Sequence, residues 1–117
     1  MAIERFYENA HMSKVVIHDN IVYMSGQVAD DPKQDFESQL HQILAKIDDQ
    51  LAALNIDRKH LLSAMVWIDD YKNWGRLNAI WDDWVVPGHK PVRSCVESKL
   101  AFPEYIVEVA VTAARTL

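Results

Sequence analysis

The sequence predicts an α+β domain, with two helices laid on one face of a single mixed sheet. Three patterns predict it. Apolar residues recur at helical spacing within residues 30–56 and 71–86. The other long segments are rich in β-branched residues and alternate apolar with polar positions, as strands do. The two kinds interleave in the order hairpin, helix, strand, helix, strand, strand, which suits helices covering one sheet.

Residues 14–28, KVVIHDNIVYMSGQV, read as a β-hairpin. Two β-branched runs flank Asp19-Asn20, and both residue types tolerate the left-handed backbone of a tight turn. Gly26 near the end of the second strand predicts a bulge or a close backbone approach. In 30–56, Phe36, Leu40, Ile43, Leu44, Ile47, Leu51 and Leu54 share one helical face. Acidic residues near its start suit the helix dipole. LLSAMVWIDD, 61–70, reads as a strand. The second helix follows in 71–86, with Trp74, Leu77, Trp81 and Trp84 on one stripe, and Pro87-Gly88 ends it. PVRSCVESKL, 91–100, and YIVEVAVTAA, 105–114, are the last strands, joined by a loop holding Pro103. A strand that follows a helix can lie parallel to the one before it through a right-handed crossover. The final strand is apolar on both faces: Tyr105, Val107, Val109 and Val111 on one, Ile106, Ala110 and Ala113-Ala114 on the other. Two helices cover one face only, so a symmetric homo-oligomer packed sheet to sheet is expected to cover the other.

A chain of 117 residues suits one domain, residues 1–117. Half of it is apolar, and the net charge is −5, from 17 acidic and 12 basic residues. That balance, with no Lys/Arg cluster, opposes nucleic-acid binding, which needs a basic face. A single cysteine makes no intrachain disulfide and fits a reducing compartment. MAIERFYENA has no signal-peptide pattern, and no apolar run approaches the roughly 20 residues that span a bilayer. A cytoplasmic protein without membrane contact is expected.

Three residues invite a chemical reading. Alternation puts Arg93 and Cys95 on one side of their strand, with Val92, Ser94 and Val96 on the other. Arg93 reads as a planar fork for a carboxylate, or as a structural ion-pair partner, Glu108 being one candidate. Glu108 lies between Ile106 and Ala110 on an otherwise uncharged strand; it reads as a carboxylate holding water or a proton, or as a strand-end glutamate reaching solvent. Cys95 reads as a small buried apolar residue, since neither a helix start nor a neighbouring histidine activates its thiol. His11, His18, His41, His60 and His89 form no metal-ligand spacing with one another or with Cys95. Three scattered glycines cannot form a phosphate-binding loop. No metal and no cofactor are expected.

Pro91-Val92-Arg93-Ser94-Cys95-Val96, then Leu100, then Val107-Glu108-Val109, resembles the signature of the Rid family, the YjgF-like or RutC-like imine/enamine deaminases. Ser25-Gly26-Gln27 after the hairpin, and Asn78, Trp81 and Trp84 in the second helix, extend the likeness along nearly the whole chain. The resemblance implies a chorismate-mutase-like α+β domain in a homotrimer, with sheets lining a central barrel and clefts between subunits. It implies that Arg93 binds the carboxylate of a 2-imino or 2-enamino acid. Glu108 would position or activate water, the backbone at Cys95 would hold water or substrate, and Ser25 and Gly26 would border the cleft. The expected reaction releases a 2-keto acid and ammonia without a cofactor. One departure is visible: where many deaminating members carry Pro-Tyr ahead of the hairpin, this chain has His11-Met12-Ser13. The alternative is a non-catalytic trimer of the same fold that binds small carboxylates or regulates an enzyme. An endoribonuclease, an activity attributed to some relatives, is opposed by the acidic balance.

Overall fold

A computed structural model of the protein describes residues 2–116. Its sheet has six strands: β1 (Glu4–Phe6), β2 (Val15–His18), β3 (Ile21–Met24), β4 (Leu61–Ile68), β5 (Val92–Glu97) and β6 (Val107–Ala114). They lie in the order β1-β2-β3-β6-β4-β5. Two helices, α1 (Phe36–Ala53) and α2 (Trp74–Trp84), connect β3 to β4 and β4 to β5.

Local chemistry accounts for the boundaries. Asp19 and Asn20 both have positive φ, 52° and 66°, so the β2–β3 hairpin closes through a two-residue turn of primed type. The Asp35 carboxylate caps α1 by accepting from the Ser38 amide at 2.9 Å. Asn55, with φ 59°, stands just past the Leu54 cap and turns the chain out of the helix. The second helix is shorter than its apolar pattern: Tyr71–Asn73 form a 3-10 turn that leads into it.

The parallel direction expected of strands joined through a helix holds. β4 and β5 are parallel, joined through α2. β3 and β4 are each antiparallel to β6, which lies between them, so they too point the same way. β1 was not expected; it adds an exposed strand to the free edge of β2.

The core lies between the helices and one sheet face. Leu40, Ile43 and Ile47 of α1 and Leu77 of α2 meet Val22, Val66, Val107 and Val109 there, all fully buried. Ala113 belongs to this core and not to the opposite face, because alternation from Val107 carries it inward. Leu54 is only half-buried, lying beyond the end of α1. Trp81 and Trp84 are buried, but Trp74 is 49% exposed, because it begins the helix and its ring turns toward β5.

Two polar clusters tie the layers together. Arg58 grips Asp48 with two hydrogen bonds of 2.8 Å, and the Trp84 indole donates to the same carboxylate. Gln39, 1% exposed, donates from Nε2 to the carbonyls of Pro32, Gln34 and Glu104. Its Oε1 accepts from the Ile106 amide. A buried amide is tolerated when both its ends are partnered in this way.

Candidate active site in two halves

Paired residues of adjacent strands share a face, and neighbours along a strand alternate. Arg93 pairs with Ala64 and Cys95 with Val66, so both point to the helix face. Glu108 pairs with Trp67, three residues from Ala64, and so emerges on the opposite face. Arg93 and Glu108 of one chain therefore do not meet. The ion pair between them that the sequence allowed is absent, since strand pairing puts the sheet between them.

The arginine half is built by α2 and β5. The Arg93 guanidinium lies over two indoles, its Cζ 5.1 Å from the Trp74 ring centre and 5.6 Å from that of Trp81. Such stacking suits a delocalised planar cation. Arg93 Nη2 donates to Asn78 Oδ1 at 2.8 Å. No carboxylate lies within ion-pair distance of Arg93 among the described residues. Its remaining donors are thus not committed to an acidic side chain. Cys95, half-buried on the same face, has its pKa raised by burial, with the Arg93 charge pulling the other way. The thiol stays protonated near neutral pH and is a poor nucleophile.

The glutamate half is built by β6 and the end of β3. Tyr23 pairs with Thr112, but Gln27 pairs with Val109. Three residues, Met24 to Gly26, thus oppose two, Ala110 and Val111, which makes a bulge at Ser25-Gly26. The Glu108 carboxylate lies against the Gly26 backbone, where a Cβ would collide with its Oε2. Glycine is required there for close approach. No hydrogen bond reaches the Glu108 carboxylate among the described residues, and burial raises its pKa above the usual value. A carboxylate poised upward is suited to accept a proton.

Of the five candidate residues, the structure brings Gly26, with Ser25 next to it in the bulge, against Glu108 and puts Arg93 with Cys95 on the other face. The resemblance pointed to Asn78, and the structure gives it the guanidinium. Trp74 escaped the sequence reading as a site residue. Its sole signal was an indole at the first turn of a helix, where the covered stripe has barely begun. The described residues hold no group of three or more His, Cys, Asp or Glu side chains arranged for a metal. Among the described residues, no helix is long and apolar enough to cross a membrane.

The family model described as endoribonuclease L-PSP matches residues 2–115. The chain belongs to that family. It is 37% identical to a RutC family protein of Haemophilus ducreyi over 112 residues, covering 96% of each chain. It is also 37% identical to the RutC family protein YoaB of Escherichia coli, over 97% of this chain and 99% of that one. The crystal structure of a YjgF family member from Neisseria meningitidis matches 97% of the chain and 95% of its own, with a TM-score of 0.91 at 34% identity. The family is the one that the Arg93-Ser94-Cys95 and Val107-Glu108-Val109 signature indicated. Two helices on a mixed six-stranded sheet are its architecture.

Proposed function

We propose that the protein is a 2-imino/2-enamino acid deaminase, a single domain over residues 1–117 that works as a cytoplasmic homotrimer. Its clefts join the Arg93 half of one copy to the Glu108 half of the next. The observation that carries this reading is the state of Arg93: stacked, oriented by Asn78, and without an acidic partner among the described residues. That is how a site for an incoming carboxylate is prepared. The placement of Arg93 and Glu108 on opposite faces supports a shared cleft, because one copy alone cannot bring both to one substrate. The open sheet face, which carries Met65, Ala110 and Thr112, is the surface a neighbouring copy would cover.

The chemistry rests on these groups. Arg93 binds the carboxylate next to the C=N bond. Glu108 takes a proton from water as the water oxygen bonds to the carbon of the protonated imine and the C=N π electrons pass to nitrogen. Glu108 then gives that proton to the carbinolamine nitrogen, and the hydroxyl loses its own proton as its oxygen forms the C=O bond and the C–N bond breaks, leaving a 2-keto acid and ammonia. An enamine first tautomerises to the imine. Positioning and one proton relay suffice, so the reaction needs no cofactor. Ser25, Gly26 and the Cys95 backbone border the water and substrate.

A second reading is a carboxylate-binding or regulatory trimer without turnover. The His11-Met12-Ser13 stretch favours it, because it takes the place of the Pro-Tyr pair that many deaminating members carry ahead of the hairpin. The ribonuclease activity in the family description is not assigned, given the net charge of −5. The deciding experiment measures ammonia and keto acid released from enamines generated in situ, alongside sedimentation. Accelerated release by a trimer is expected. Release no faster than background leaves the binding reading; a stable monomer at micromolar concentration removes the shared cleft.

A further inference from the structure

We propose, resting on the deaminase reading, that the cavity beside Arg93 receives the substrate's side chain and selects for a bulky, aromatic one. The cavity measures about 510 Å³ and opens at the carboxyl ends of the parallel strands β4 and β5. Its walls are Ile68, Tyr71, Trp74, Cys95 and Val96.

Trp74 links the cavity to the anchor. One indole both lines the cavity and carries the Arg93 guanidinium at 5.1 Å. A carboxylate held by Arg93 would lie beside the indole that walls the cavity, and the substituent on its next carbon would fall within reach of that wall.

The walls are apolar and wide. Tyr71 is 66% and Trp74 49% exposed, yet both border this one cavity. Large rings left open to solvent at a concave site mark a surface made for an apolar ligand. Lys72 and Glu97 bring opposite charges to the rim, so neither sign of side chain is favoured. The wall is also held in place before any ligand arrives. The Asp70 carboxylate accepts from the Lys72 amide at 2.9 Å, and the Glu97 carboxylate accepts from the Tyr71 amide at 2.7 Å. The second bond pins the 3-10 turn to β5.

The test titrates the full chain with phenylpyruvate and with pyruvate, followed by calorimetry, for the wild type, Tyr71→Ala and Tyr71→Phe. In parallel, ammonia release is measured from the imines of phenylalanine and alanine formed by an amino-acid oxidase. Burying a benzyl group in place of a methyl group should favour phenylpyruvate by about tenfold to a hundredfold. Tyr71→Ala should shrink that ratio several-fold, and Tyr71→Phe should keep it. Phenylpyruvate binding no tighter than pyruvate, or a ratio untouched by Tyr71→Ala, overturns the cavity assignment. Release from neither imine overturns the deaminase reading alone, and the binding ratio still decides the cavity.

Discussion

Arg93 and Glu108 stand on opposite faces of one sheet, and their surroundings differ as much as their positions. Arg93 is finished within its own chain, with two indoles and an amide fixing its plane. Glu108 is not. Its carboxylate rests on a glycine backbone, has no hydrogen-bond partner among the described residues, and is desolvated. The contrast separates two ways of preparing a charged group. On the proposed roles, the cation that would hold a ligand is immobilised, and the carboxylate that would exchange a proton is left under-solvated, so that its proton affinity rises.

The largest effect should come from breaking the second of these. Glu108→Gln keeps the shape and removes the base, so turnover should fall by about 10²–10⁴. Keto-acid affinity should stay near wild type, because Arg93 is untouched. Collapse of both together would make Glu108 a structural residue. The raised pKa also sets a sign with pH. Protonated Glu108 suits its site, so its contribution to stability is full below the unfolded-state pKa and fades as pH rises through the folded-state value. Thermal melts against pH should show that slope in the wild type and lose it in Glu108→Gln. Activity should run the other way and fall as acid protonates the base.

Arg93→Lys comes next. Lysine keeps the charge but loses the flat fork and its stacking on Trp74 and Trp81. A lost charge-assisted contact costs on the order of 1.5–3 kcal/mol, or roughly tenfold to more than a hundredfold in kcat/KM. A wild-type rate in this variant would deny Arg93 the anchor role. Gly26→Ala sharpens the comparison further. The new methyl group meets the flexible end of Glu108, so the carboxylate swings aside while the sheet stays folded. Activity should drop about tenfold through misplacement, with the melting temperature kept within a few degrees. A large drop in melting temperature instead would mean that the bulge cannot yield. Cys95→Ala should change turnover least, within about twofold, because its thiol is protonated and serves as neither the proposed anchor nor the proposed base. Ammonia release by the purified variant reads this directly.

The sequence made some of this legible. Alternation alone put Arg93 and Cys95 on one side of a strand, and helical spacing chose the buried face of α1. The Gly26 bulge is legible in a glycine inside a strand pattern. The relation between Arg93 and Glu108 was hidden, because pairing register decides it, and a shift of one residue reverses every face. Strand β1 was hidden for a related reason: Glu4-Arg5-Phe6 carries too little pattern and becomes a strand only by bonding to β2. Trp74 carries the spacing of a core residue because spacing reports which stripe a residue joins, not whether the helix has begun to cover it.

Gln39 carries a consequence for how the chain can vary in length. Its amide grips the loop before β6 at Glu104 and Ile106, the latter two residues ahead of Glu108. The stretch before Glu104 hangs outside this clasp, with Ala101, Phe102 and Pro103 exposed, and can gain or lose residues without disturbing the strand beyond it. Past the clasp there is no such tolerance. One residue inserted between Ile106 and Glu108 would turn the strand over, sending the carboxylate into the valine layer and the valines into solvent. A side chain buried in α1 thus acts as the ruler against which β6 and Glu108 are measured, and insertions among relatives should accumulate on one side of it only.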